Sequence, residues 1–287
     1  MKKLMLFSCL SLSLLACKQE KKEDKAPQEI SAAVAGKEET KTMQDSIIVM
    51  PVEHASFAMQ LNDKVFYVDP VGGAEKYSEL PQPDLIFVTD IHGDHMSAET
   101  LNALTEQDST LQIVCPQAVK EQLPEHLQSR LQVMNNDEEK TWWGVNVKAI
   151  PMYNLREEAK DFHVKGRGNG YLLSANDKKV YISGDTEDIP EMRNLKDIDL
   201  AFVCMNLPYT MPVDAAADAV LDFKPKKVYP YHYRGKDGMS DVDHFKNIVT
   251  TNNPAIEVEI LDWYWWGLGN TNFQTLRNFY QPKQTTI

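Results

Sequence analysis

Residues 90–95, Asp-Ile-His-Gly-Asp-His, put four side chains with nitrogen or oxygen donors into a six-residue loop. A strand-like run, 84–89, leads into the loop, and Ser97, a residue type that caps helix N-termini, follows it. This order predicts a strand–loop–helix unit with the donors at the strand's C-terminal end, where layered α/β folds place their sites. Positions 90, 92 and 94 can project to one side, with His95 beside Asp94. Imidazole and carboxylate gathered in this way suit zinc and similar divalent cations. A polar loop with two solvated histidines has the same composition, so the reading depends on donors elsewhere in the chain.

Two other segments supply them. Residues 180–186, Val-Tyr-Ile-Ser-Gly-Asp-Thr, read as a strand that ends in Gly-Asp-Thr, and residues 228–232 read as a strand that ends in His232. Each puts a donor just past a strand, as the first loop does. Around them the chain predicts hairpins at 56–61/64–68, turning at Asn62-Asp63, and at 170–174/179–183, turning at Asn176-Asp177. Further strands are predicted at 47–52, 111–115, 131–134, 145–150, 198–204, 227–231 and 256–261, with helices at 97–104, 214–223 and 241–250. Hairpins come first and strand–helix alternation later, in both halves. The expected class is therefore a layered α/β domain with mixed sheets.

The 287-residue chain, 43% hydrophobic, can bury a sizeable core in one large domain or two small ones. Its net charge of -12 lacks the basic footprint that phosphate backbones require, so no nucleic-acid partner is expected. Lys2 and Lys3 precede an apolar run at 4–15 that is too short to span a bilayer and fits a secretory signal. That run ends in Leu14-Leu15-Ala16-Cys17, which resembles the lipobox of bacterial lipoproteins, with Cys17 as the lipidated residue. The expected organisation is a signal peptide over 1–16, a disordered tether over 17–45 and a folded domain over 46–287. Such a chain would be exported and held to a membrane of the cell envelope through its lipid alone. Cys115 and Cys204 lie in apolar strand-like runs and read as buried thiols, although a disulfide stays open at this point.

With these motifs in place, residues 46–265 resemble the metallo-β-lactamase superfamily, closest to its branch of sugar-phosphate lactonases and N-acyl-phosphatidylethanolamine phospholipase D. The resemblance rests on His54-Ala55-Ser56-Phe57, Val68-Asp69-Pro70, the 90–95 loop, Pro151-Met152-Tyr153-Asn154, Phe162-His163, Gly184-Asp185-Thr186, Tyr209-Thr210-Met211 and His232. It implies an αββα sandwich, two mixed sheets flanked by helices, with metals at one edge of the sheets. It also implies that Asp94, His95 and His232 hold one metal, that Asp185 bridges two, and that His92 serves the other. The family's usual loop is His-x-His-x-Asp-His, and this chain has Asp90 where the first histidine is expected. A third histidine usually follows the strand at 145–150; here the position is Asn154, with His163 close by as a substitute. Both departures fall on the same metal, and an added carboxylate shifts preference towards harder ions such as manganese.

The resemblance implies a divalent cofactor, one or two zinc ions with manganese as the alternative. It implies a metal-bound hydroxide that attacks an ester, lactone or phosphodiester, with two ions ~3.5–4 Å apart where both are present. Asp94 would ligate, orient the water or take its proton. His54 falls near the site as a ligand or an outer partner. Tyr209, Arg167 and Arg234 flank the metal segments and could meet a small-molecule or lipid-like substrate, since Arg matches phosphate and carboxylate geometry. Arg156 and Lys165 either do the same or neutralise acidic neighbours. A second function class stays open: a non-catalytic lipoprotein that binds a metal or an anion at a degenerate site.

Overall fold

A computed structural model of the chain describes residues 47–264. The expected signal peptide and tether, Cys17 and the C-terminal residues from 265 lie outside the described residues. The first sheet runs β1 (Ile48–Glu53), β2 (Ser56–Leu61), β3 (Lys64–Val68), β4 (Leu85–Phe87), β5 (Gln112–Cys115) and β6 (Leu131–Val133), side by side in that order. Strands β1 to β3 are antiparallel, and β3 to β6 are parallel. The second sheet contains β7 (Glu139–Trp142), β8 (Val145–Met152), β9 (Gly168–Ala175), β10 (Lys178–Ile182), β11 (Leu200–Cys204) and β12 (Lys227–Tyr231). After a small hairpin of β13 (Arg234–Gly235) and β14 (Gly238–Met239), β15 (Glu257–Val258) closes the second sheet beside β12. Pairing is antiparallel from β7 to β10 and parallel from β10 to β12 and β15. The helices are α1 (Ala98–Gln107), α2 (Gln117–Gln122), α3 (Pro190–Arg193), α4 (Val213–Phe223) and α5 (Val242–Asn252).

Strand periodicity sorts the core into layers. Phe57, Met59 and Leu61 of β2 and Leu85 and Phe87 of β4 join the cluster between the sheets, while Ala58, Ile86 and Val88 join Leu101 and Leu104 of α1 and Val119 of α2. Aromatic pairs stitch the sheets together: Phe57 stacks on Phe202 at 4.2 Å between centroids, and Phe87 lies 4.8 Å from Tyr171. Such pairs contribute roughly 0.5–1.5 kcal/mol beyond their area burial. Ala216, Ala217, Val220 and Phe223 of α4 and Phe245 and Val249 of α5 bury into the cluster that contains the second sheet. The architecture is the expected αββα sandwich. Ser97 caps α1 by accepting Thr100 N–H, and the helix runs about one turn beyond its predicted end.

Besides the short α3, β13 and β14, two elements lie outside the sequence expectation for a common reason, a weak apolar signal. Strand β7, Glu-Lys-Thr-Trp, is an edge strand with alternating exposure, and α2 buries only Val119. Cys115 and Cys204 are free thiols on different sheets, and burial pushes both up to about 12. The C-terminal ends of β3, β4, β10 and β12 fall at one edge of the sandwich. There Asn169 N–H donates to Thr89 O at 2.9 Å and Tyr171 O–H donates to Val88 O at 3.0 Å, fixing one sheet to the other beside the 90–95 loop.

Candidate metal centre

The backbone is strained where the donors gather. His54, Asp69 and His232 all have positive φ, at 54°, 46° and 47°, a region non-glycine residues rarely occupy and one that clusters at functional sites. Main-chain bonds over-determine the arrangement: His232 N–H donates to His54 O, and His54 N–H donates to Trp263 O. Trp263 is itself buried against Phe57, Phe202 and Tyr231. At Gly184, φ is 60°, and an added Cβ would meet Met152 Sδ at 2.5 Å, the same sulfur that accepts Asp185 N–H. Gly184→Ala is expected to cost about 1–3 kcal/mol of stability through backbone strain and to shift Asp185. Thermal unfolding and metal content of the variant, measured together, check both effects.

Four side chains converge beyond these strand ends. His95 Nε2 lies 3.3 Å from Asp185 Oδ2, 3.0 Å from His232 Nε2 and 3.9 Å from Asp94 Oδ1. His232 Nε2 lies 3.4 Å from both Asp185 Oδ1 and Asp94 Oδ2. Neighbouring donors around a tetrahedral zinc with bonds of ~2.0–2.1 Å stand about 3.3 Å apart, so this spacing fits one ion. His95, Asp185 and His232 are buried, whereas the Asp94 side chain is 44% exposed and forms the open side. Asp185 Oδ1 is buried without a hydrogen-bond partner, as an atom reserved for a ligand would be.

His95, His163 and His54 are aimed from behind, whereas His232 Nδ1 is buried without a hydrogen-bond partner among the described residues. His95 Nδ1 contacts Asp69 Oδ2 at 2.8 Å, leaving Nε2 to face the cluster. Asp69 is in turn fixed by Thr89, whose N–H and Oγ1–H donate to its two oxygens at 2.7 Å each. His163 Nδ1 lies 3.1 Å from Tyr209 O, and the same carbonyl accepts Asn154 Nδ2 at 2.6 Å. Asn154 and the Tyr209 main chain thus position His163, while the Tyr209 ring packs edge-on against Phe162. Tyr264 O–H accepts Arg234 N–H and lies 2.9 Å from His54 Nδ1. With the hydroxyl proton given to Nδ1, His54 Nε2–H points at Asp94 Oδ2, 3.4 Å away. The Arg234 guanidinium lies over the Tyr264 ring at 5.0 Å. Arg156 pairs with buried Glu187, and Lys165 with Glu191, so both neutralise neighbours. Asp69 and Tyr264 had no role assigned from sequence; a carboxylate directly after a strand, parallel to the one before the 90–95 loop, was the available signal for Asp69.

The second group of donors has a different character. Asp90, His92 and His163 come close enough to share an ion, yet Arg167 enters among them. Its Nε and Nη2 donate to Asp90 Oδ1 and Oδ2 at 3.1 and 2.8 Å. His92 Nδ1 also contacts Asp90 Oδ2, at 2.9 Å.

Charge is concentrated accordingly. Burial alone would raise the Asp185 carboxyl, but the imidazoles of His232, His95 and His163 hold it well below the usual range. Burial would lower His95, but Asp185 and Asp69 outweigh it and keep this imidazole well above its ordinary value. His54 is pushed down to about 4, chiefly by burial, which keeps it neutral and able to donate to Asp94.

Comparison with known proteins shows the family to which the chain belongs. A family model described as the β-lactamase superfamily domain matches residues 55–233. A UPF0173 metal-dependent hydrolase of Thermococcus onnurineus is 29% identical over 206 residues, spanning 68% of this chain and 89% of its own. The solved structure of a candidate metal-dependent hydrolase from Parabacteroides distasonis is 33% identical with a TM-score of 0.65, over 75% of this chain and 92% of that one. Igni18, a metallo hydrolase from Ignicoccus hospitalis, shares the fold at 18% identity, with a TM-score of 0.63 over 76% of this chain and 96% of that one. The chain belongs to the β-lactamase superfamily. Within it, the chain is one of the metal-dependent hydrolases of the metallo-β-lactamase fold.

Proposed function

We propose that the protein hydrolyses a carboxylic ester, lactone or phosphodiester with a divalent metal held by Asp94, His95, Asp185 and His232. Zinc is the ion this donor set favours, with manganese as the harder alternative. The observation that carries the reading is the convergence of two imidazole Nε2 atoms and the Asp185 carboxylate at 3.0–3.4 Å, all three side chains buried, with the exposed Asp94 beside them. When bound, the ion lowers the pKa of water towards ~7 and polarises the scissile group, so hydrolysis runs at neutral pH.

The chain's own residues supply the rest. Asp69 fixes the His95 ring, and His54 holds Asp94 Oδ2 at the mouth, where Asp94 orients the attacking water. Five of the six exposed large hydrophobics among the described residues, Leu155, Phe162, Val164, Leu207 and Met239, lie on the loops that carry His163, Tyr209 and Arg234. Such a rim supports a small-molecule or lipid-like substrate with an apolar portion. Asp94→Ala is expected to lower kcat/KM on generic esters or phosphodiesters by about 100- to 10,000-fold. Full activity in that variant would remove the role given to Asp94.

We further propose that the chain is an exported lipoprotein, organised as signal peptide 1–16, tether 17–45 and hydrolase domain 46–287. The support is the Leu14-Leu15-Ala16-Cys17 motif behind a short apolar run. Among the described residues, no helix is long and apolar enough to cross a membrane. Cys17→Ser is expected to abolish incorporation of labelled palmitate and to move the protein out of the membrane fraction. A variant that stays membrane-bound would contradict the anchor.

A further inference from the structure

We propose that the protein holds one metal ion and not two, and that the Arg167 guanidinium is the fixed cation of the second position, where its Nη1 meets an anionic oxygen of the substrate. The proposal rests on the metal-dependent hydrolysis argued above and specifies how that site is built.

The Asp90 side chain is fully buried, and both its oxygens are engaged. Oδ1 receives Arg167 Nε at 3.1 Å; Oδ2 receives Arg167 Nη2 at 2.8 Å and lies 2.9 Å from His92 Nδ1. This is the two-pronged guanidinium–carboxylate geometry that gives the strongest charge-assisted pairs. His92 has one ring nitrogen against Asp90, and its other, Nε2, lies 3.5 Å from Arg167 Nη2. His163 Nε2 lies closer to Asp185, at 3.1 Å, than to Asp90, at 3.9 Å. Two of the three donors that would make a second metal position thus contact a guanidinium, and the third faces Asp185. A divalent ion there would need the oxygens of Asp90 and would displace a cation that cannot lose its proton inside a protein. The His95 centre differs: among the described residues, Asp94 and Asp185 pair only with imidazoles.

Arg167 is also held for a purpose other than pairing. Its Nη2 donates to Phe162 O at 2.5 Å, and Gly166, at φ 89°, makes the turn that swings the side chain inward from the start of β9. With Nε and Nη2 engaged, Nη1 has no partner among the described residues. In a hydrolysis that builds negative charge on oxygen, a fixed positive group beside the metal position stabilises that charge without reorganising. The chemistry it recognises is a phosphate or carboxylate oxygen.

The test is a count of metal in the full chain, loaded with excess zinc or manganese and then freed of unbound ion. One equivalent is expected, with the manganese form giving the electron paramagnetic resonance signal of an isolated ion. Asp90→His combined with Arg167→Ala is expected to admit a second equivalent. Two equivalents in the wild type, or a spin-coupled manganese pair, overturn the proposal while leaving metal-dependent hydrolysis intact. No metal in the wild type overturns both. Inorganic phosphate probes the substrate contact, with Asp90→Asn added so that no buried charge is stranded. Its affinity should fall about tenfold in the Asp90→Asn/Arg167→Met pair and stay unchanged in Lys165→Met; unchanged affinity in the pair overturns the role of Nη1. The wild-type count and spectrum decide the metal number even where a double variant fails to fold.

Discussion

Asp185→Ala is expected to leave the protein without stoichiometric metal and to lower kcat/KM by about a thousandfold or more, ~4 kcal/mol of transition-state stabilisation. Asp185 is the buried one of two carboxylates that each face three imidazoles, with His95 at 3.3 Å, His232 at 3.4 Å and His163 at 3.1 Å. Its side chain is buried among them. Removing it deletes a ligand and leaves the imidazoles facing one another. Asp185→Asn separates the two effects: the shape survives and the charge does not. Metal content and steady-state kinetics of both variants check the expectation, and an alanine variant that binds metal normally would contradict it.

Asp69 gives the second large effect, although it would touch neither metal nor substrate. Asp69→Ala strands Thr89 N–H and takes the carboxylate from His95 Nδ1, which keeps only Thr89 Oγ1 at 3.0 Å, in a buried site. At roughly 1–3 kcal/mol for each buried group left unsatisfied, the loss in folding stability should reach several kcal/mol. Asp69→Asn is the sharper variant. It can keep Thr89 N–H on Oδ1, but its amide donates where the carboxylate accepted from His95. The imidazole then carries its proton on Nε2, the atom needed by the metal. Metal affinity should fall about 10- to 100-fold in this variant, the usual effect of removing an outer partner of a ligand. Chemical denaturation measured alongside metal titration separates the folding loss from the binding loss. Unaltered metal affinity in Asp69→Asn would mean that the Asp69–His95 contact does not set the tautomer.

The fold was largely legible in the sequence because its strands are buried and end in turn residues. The apolar run before Asp90 and the Ser97 cap place the 90–95 loop without reference to anything distant. The hairpins at Asn62-Asp63 and Asn176-Asp177 follow the same way, with positive φ at Asn62, Asp63 and Asn176. The edge strand at 139–142 escaped because its exposed face is polar and its length is four residues. In the site, local order showed which residue types end strands at one edge, but not which of them meet. Asp90 and Arg167 are 77 residues apart, and their pairing exists only once β4 and β9 are brought together at the sandwich edge. The sequence reading had Asp90 as a ligand in place of a histidine; the structure brings it to a guanidinium as well as to His92 and His163. Asp69 was visible as a motif residue, yet a carboxylate after a strand reads as a turn until His95 is seen beside it. Asn154, read as a degenerate ligand position, engages main-chain carbonyls through its side-chain nitrogen and so shapes the loop that delivers His163.

Each of these expectations depends on a metal held among Asp94, His95, Asp185 and His232. Anomalous diffraction at the zinc or manganese edge, from crystals of the metal-loaded protein, tests it most directly. A peak bounded by those four side chains is expected, and none between Asp90 and His92. A map whose metal peak lies elsewhere, with these four side chains unligated, would contradict it.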